Sequence, residues 1–301
     1  MSDTLASLRR KIAGAEDLGS VVRSMKALAA ASIGQYERAV LALADYYRTV
    51  ELGLIVCMRK RGKAAAEQAA RTPAVAKTVS AVVFGSDQGL VGQFNDLLAD
   101  FVVKTLSTLS GEKKIWAVGE RVHARLADAG LPPVGLFAVP NSINAIAPLV
   151  GQILVDCDAH DDQGEIGQFY LFHNEPKIGA AYEPVSQHLL PLDEPWWVRL
   201  AHLPWPTGNL PEVIGSEEPT LWALVQEYLF VSLYKACGES LASENASRLA
   251  AMQRAEKNID ELVAALNQTF RRMRQTSIDE ELFDVLSGFE SLSTSVHNHR
   301  T

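Results

Sequence analysis

All 13 prolines of this chain lie between Pro73 and Pro219, so the first 72 residues and the last 82 contain none. Proline lacks a backbone donor and clashes with the preceding helical turn. Its absence over such spans leaves long helix possible at both ends, while the middle must fold differently. Charge follows the same division. Residues 1–60 carry 9 basic and 6 acidic side chains and residues 220–301 carry 8 and 11, leaving 11 and 19 of the totals for the middle. The net charge of −8 therefore belongs to the middle, and it argues against a general nucleic-acid binder, which needs a basic face. A hydrophobic content of 48% supplies a core and excludes a disordered chain.

From Leu5 a largely apolar seam steps by three and four through Leu8, Ile12, Ala15, Gly19, Val22, Lys26, Ala29, Ile33, Tyr36, Val40, Leu43, Tyr47 and Val50, and among these positions only Lys26 is charged. Leu249, Met252, Glu256, Ile259, Val263, Leu266, Phe270 and Met273 do the same near the other end. That spacing winds two helices around each other in a left-handed supercoil. A helix from Pro219 to about Leu286 would be roughly 100 Å long and needs a partner along its length. The N-terminal helix, running antiparallel, is the expected partner; two helices of an ordinary bundle are the alternative. Gly14, Gly19 and Gly34 are expected to let the partner helix approach.

The middle alternates strand and helix. Strands are expected at Thr78–Ser86, Lys114–Val118, Val134–Val139, Gln168–His173 and Pro184–Leu192, with helices at Asn95–Leu109, Glu120–Ala129 and Ser142–Asp156. This pattern gives an α/β sheet with parallel pairs. The fold expected is a central Rossmann-like α/β domain flanked by long N- and C-terminal helices forming an antiparallel coiled coil. Its parts are a helix over 1–60, the α/β domain over 75–192, a Pro/Trp-rich connector over 193–218, a helix over 219–288 and a tail over 289–301.

The motifs exclude more chemistry than they offer. The turn Gly85-Ser-Asp-Gln-Gly-Leu-Val-Gly92 follows a first strand, as a phosphate-binding turn does, but Asp87 and Leu90 stand where GxGxxG needs glycine. Asp156, Asp158, His160, Asp161 and Asp162 lack the ligand order of an EF-hand and read as a solvated acidic loop. No activated nucleophile, carboxylate pair or HExxH is present, so no catalytic residue, cofactor or metal is assigned. Cys57, Cys157 and Cys237 include no CxxC pair and read as free thiols of a reducing compartment. The N-terminus lacks the apolar stretch of a secretory signal, its acids Asp3, Glu16 and Asp17 argue against a transit peptide, and no transmembrane segment is expected.

Four stretches resemble one family in order along the chain. Glu239-Ser-Leu-Ala-Ser-Glu-Asn-Ala-Ser-Arg-Leu-Ala-Ala-Met252, with Ala255 and Asn258, resembles the C-terminal helix signature of the gamma subunit of F-type ATP synthases. Arg274-Gln-Thr-Ser-Ile-Asp-Glu-Glu-Leu-Phe-Asp-Val-Leu-Ser-Gly288 is similar to that family's terminal motif. Ser86-Asp87, Gly89-Leu90, Gly92 and Asn95 resemble its glycine-rich stretch, and Val21–Ala30 its N-terminal helix. Ser32, Gln88 and Asn245 depart from the usual residues, which points to a divergent bacterial member.

The resemblance implies a central rotor stalk without a catalytic site of its own, coupling ion flow through a membrane c-ring to ATP synthesis or hydrolysis at a ring of alpha and beta subunits. It implies epsilon as a further partner, and a peripheral place on the cytoplasmic face of the bacterial inner membrane. By the same resemblance Met25, Lys26, Arg271, Arg274, Gln275, Ile278 and Leu282 are the expected contacts to the alpha/beta ring. Leu8, Ile12, Val22, Ile33, Leu249, Met252, Ile259, Val263, Leu266 and Phe270 are expected in the coiled-coil seam. Two other readings compete: a nucleotide-binding α/β enzyme with helical arms, and a coiled-coil scaffold unrelated to ATP synthesis.

Overall fold

A computed structural model describes residues 4–71, 78–159, 167–177, 182–192, 205, 207–209 and 213–298. In chain order the elements are α1 (Leu5–Arg71), β1 (Thr78–Phe84), α2 (Phe94–Ser107), β2 (Glu112–Val118), α3 (Glu120–Asp128) and β3 (Gly135–Phe137). A 3-10 turn at Ile143–Ala145 then enters α4 (Ile146–Ala159), followed by β4 (Gln168–Pro176), β5 (Tyr182–Leu190) and α5 (Glu217–Asn298). The expected strands and helices of the middle are all present, with ends moved by a few residues. Both terminal helices overrun their expected limits at residues 60 and 288, so the segment expected as a tail is helical to Asn298. The cause is the absence of a stop: no proline precedes Pro73, and one glycine at 288 costs only about 1 kcal/mol. Most of the expected connector over 193–218, and His160, Asp161 and Asp162 of the acidic loop, lie outside the described residues.

The chain divides into two compact units, residues 1–27 with 252–301 and residues 28–251. In the first unit α1 and α5 run antiparallel, because contacts that descend α1 ascend α5. Lys26 meets Glu256 and Gly19 faces Ile259, while the Arg9 guanidinium lies 5.3 Å from the centre of the Phe270 ring. Leu8, Ala15, Gly19 and Met252 are buried there.

The second unit holds a five-stranded sheet in the order β3-β2-β1-β4-β5. β1 is parallel to both β2 and β4, β2 is parallel to β3, and β4 and β5 are antiparallel. Alternation along β1 splits the core into two layers. Val79, Ala81 and Val83 pack with Leu98 and Val102 of α2 and Val122 and Leu126 of α3. Val82 and Phe84 join Ile146 and Val150 of α4, Val50 and Leu54 of α1, and Tyr228 and Leu241 of α5. β1 is thus covered on both faces, which explains its nearly continuous apolar sequence. Within this unit Val40 faces Gly238 and Gly53 faces Leu224, so α1 and α5 are antiparallel here too.

The glycines differ in what they do. A Cβ at Gly14 or Gly34 would meet nothing within 4 Å, so these two do not mediate a close helix approach as expected. At Gly19 it would lie 3.4 Å from Ile259, and at Gly238 only 2.6 Å from Val40 Cγ2. Gly238→Ala is therefore expected to destabilise the full chain by about 1–3 kcal/mol through overpacking. Gly14→Ala, in open space on a helix, is expected to stabilise by up to about 1 kcal/mol. Urea unfolding of both variants checks the contrast, and equal effects would contradict it.

Candidate functional site

The turn after β1 spends its polar groups internally. Ser86 N donates to Asn95 Oδ1 (3.0 Å), and Asn95 Nδ2 donates back to Ser86 Oγ (2.8 Å). Asp87 Oδ1 accepts from the N–H of Glu120 at the start of α3 (3.0 Å), while its Oδ2 accepts from Val139 N (2.9 Å). A Cβ on Gly85 would lie 2.4 Å from Val122, so glycine is required by α3 standing against the turn. A phosphate-binding turn presents unpaired N–H groups at a helix N-terminus. Here the Asp87 carboxylate already sits at that place on α3, and the motif ties β1, α3 and the end of β3 together. Asp156 of the acidic loop is likewise engaged, accepting from Trp116 Nε1 at 2.7 Å.

The chain leaves β1 toward β2 on one side and later returns to β4 on the other, so the sheet order reverses between β1 and β4. In doubly wound sheets, ligands bind in the crevice outside the carboxyl ends of the strands at this point. In this protein α5 occupies it. Ser240 Oγ donates to Phe84 O at the end of β1 (3.0 Å), and Ser243 Oγ donates to Asn174 O near the end of β4 (2.9 Å). Ser247 Oγ donates to Val91 O in the glycine-rich turn (2.5 Å). Glu239 Oε2 meets His173 Nε2 of β4 at 2.9 Å. All three serines are buried. Sequence reasoning quoted them within the resemblance but gave them no role. Their signal was present, since serines at 240, 243 and 247 share one helix face and serine is a poor interior helix former.

The residues expected to touch partners are placed as follows. Met25 is half-buried, and so is Lys26, which donates to Glu256 Oε2 at 2.6 Å. Arg271, Arg274 and Gln275 are exposed on α5, as are Ile278 (53%) and Leu282 (57%). Phe283 (68%), Val285 (69%) and Leu286 (52%) extend the apolar surface toward the helix end. Of the expected seam residues, Leu8 and Met252 are buried. Ile12, Val22, Ile33, Leu249, Ile259, Val263, Leu266 and Phe270 are half-buried. Among the described residues no cluster of His, Cys, Asp or Glu is arranged to hold a metal ion.

One buried charge stands beside the crevice. Glu244 on α5 is 5% exposed, and Arg248 Nη2 donates to its Oε1 at 2.5 Å. Burial raises the Glu244 carboxyl above the ordinary carboxylate range; Arg248 opposes that rise and Asp87 adds to it. A carboxyl raised on folding stabilises the fold below its unfolded pKa and loses that contribution as pH climbs through the folded value. The chain is thus expected to gain stability from Glu244 on acidification from neutrality. Glu244→Gln should lack this increment and compare best with the parent at neutral pH. Denaturant midpoints of both proteins across that range test the sign, and parallel pH profiles would contradict it.

With this geometry in hand, the comparisons with known proteins are specific. A family model described as ATP synthase matches residues 4–292. The ATP synthase gamma chain of Anaeromyxobacter sp. (strain Fw109-5) is 26% identical over 96% of this chain and 99% of its own length. That of Hyphomonas neptunium (strain ATCC 15444) is 28% identical over the same shares. Among solved structures, a chain of the rotor of Euglena gracilis mitochondrial ATP synthase shares the fold with a TM-score of 0.56 at 15% identity, over 91% of this chain and 98% of that one. A chain of the Tetrahymena thermophila mitochondrial central stalk and c-ring gives 0.54 at 22% identity, over 78% and 99%. The match over nearly its whole length, with a mixed sheet between two long helices, means that the chain belongs to the ATP synthase gamma-chain family.

Proposed function

We propose that this chain is the turning shaft of an ATP synthase. In this reading α1 and α5 enter a ring of alpha and beta subunits, and the α/β unit meets epsilon and the membrane c-ring. Ion flow turns the c-ring, the shaft turns with it, and its asymmetric surface drives nucleotide sites that belong to the ring. The chain has no catalytic site of its own in this account. Its place is peripheral, on the cytoplasmic face of a bacterial inner membrane. In keeping with that, no helix among the described residues is long and apolar enough to cross a membrane.

One observation carries the reading. Ile278, Leu282, Phe283, Val285 and Leu286 are all more than half exposed on one helix end. Contiguous exposed apolar surface marks an interaction site, and apolar walls let one body slide past another without fixed bonds. Arg271, Arg272 and Arg274 lie just before it, all exposed, with no acid between Glu261 and Asp279. Such a belt suits acidic loops on the surrounding subunits, each exposed pair contributing about 0–1 kcal/mol. We include Met25, Lys26 and Gln275 among the ring contacts. The rival reading as a nucleotide-binding enzyme is disfavoured by the filled crevice between β1 and β4.

Co-expression with alpha and beta subunits is expected to yield one particle that hydrolyses ATP, whereas the isolated chain should show no ATP binding by calorimetry. Leu282→Asp, at an exposed site, should leave the chain's own helix content unchanged. It should slow ATP-driven proton pumping in inverted vesicles at least about tenfold. Removing an unpaired carboxylate from water costs more than the ~1.4 kcal/mol that a factor of ten represents. Unchanged pumping in this variant would remove the apolar tip from the account.

A further inference from the structure

We propose that the strand-end crevice acts as a clamp that locks the α/β body to α5, so that torque on one is delivered to the other. Ser240, Ser243, Ser247 and Glu239 are its positioning residues. This inference rests on the rotor reading. It assigns a mechanical role to a place where this class of sheet ordinarily holds a ligand.

The geometry carries the argument. Strand-end carbonyls and turn carbonyls need donors once they are buried. Three of them, Phe84 O, Asn174 O and Val91 O, receive hydroxyl donors from α5. These acceptors belong to three different segments: the end of β1, the end of β4 and the glycine-rich turn. A single bond between a helix and a sheet is a pivot. Bonds to three separate segments, spread over a rise of about 10 Å between residues 240 and 247, oppose both twisting about the helix axis and sliding along it. The His173–Glu239 contact adds a fourth anchor on β4, with side chains 6% and 13% exposed. Lys235 Nζ lies 3.6 Å from the other oxygen of Glu239 and helps hold that carboxylate in place. Apolar packing alone does not do this work, because smooth hydrophobic faces are non-directional.

The segments that supply the acceptors are themselves fixed. Asn95 holds the Ser86 backbone, and Asn174 Nδ2 donates to Phe94 O at 3.1 Å. Asp87 pins the turn to α3 and to Val139. A pull on any of the three carbonyls is therefore passed to the sheet.

The test is the triple variant Ser240→Ala, Ser243→Ala, Ser247→Ala in the assembled membrane-bound enzyme. Val102→Ala serves as control, because it opens a cavity on the opposite face of the sheet without touching the clamp. Two readouts are taken: amide exchange at residues 85–92, and protons pumped per ATP hydrolysed. The triple variant should exchange about a hundredfold faster there, from three lost hydrogen bonds. It should hydrolyse ATP while losing pumping per ATP relative to the parent, and Val102→Ala should keep the parental ratio. A parental ratio in the triple variant overturns the proposal. So does a loss no greater than in Val102→Ala, since a merely structural role would lower both variants alike. Failure of the parent enzyme itself to pump would instead contradict the rotor reading, and the two failures are thereby told apart.

Discussion

The 82-residue helix α5 draws its stability mainly from packing its apolar side, since in proteins tertiary packing contributes more to a helix than propensity does. Here the cover changes identity along α5. In the unit of residues 1–27 and 252–301, α1 supplies it through a narrow seam in which Leu8, Ala15 and Met252 are buried. In the other unit α5 meets α1 and the sheet together, and Tyr228, Leu233, Ala236, Cys237, Leu241 and Ala242 disappear into a larger core. Beyond Ser277 that cover ends, and residues 278–287 of the same helix are exposed.

The polar groups within the buried face are what make the contact directional. Three serines bond to the sheet, Glu239 meets His173, and Glu244 is held by Arg248. A buried ion pair is weak evidence for stability, since desolvation offsets much of its attraction. Its value lies in fixing one arrangement. The same reasoning explains why a Rossmann-like sheet in this chain is an attachment surface: its ligand crevice is filled by the chain's own helix.

The fold was largely legible because its signals are periodic. The proline-free ends, the 3-4 spacing and the strand–helix alternation each report a geometry with a fixed period. Lys26 and Glu256 each put a charge into an apolar seam, and in the fold they are one contact, at 2.6 Å. What sequence could not show was long-range pairing of this kind, since no local pattern marks which carbonyl a serine will reach. The glycines illustrate the same limit. Gly14 and Gly34 look identical to Gly19 and Gly238 in sequence, yet only the latter pair faces a neighbouring side chain. Ile278 and Leu282 were named in sequence only through the resemblance, and their exposure is a property of the folded chain, in which residues 278–287 of α5 are uncovered.

The central claim is that this chain turns inside a ring of alpha and beta subunits. It is tested most directly by attaching a bead to the α/β unit of the chain in a surface-fixed complex with those subunits, and watching it while ATP is supplied. The account predicts stepwise rotation in one direction that stops when ATP is removed. A complex that hydrolyses ATP while the bead stays still would contradict it.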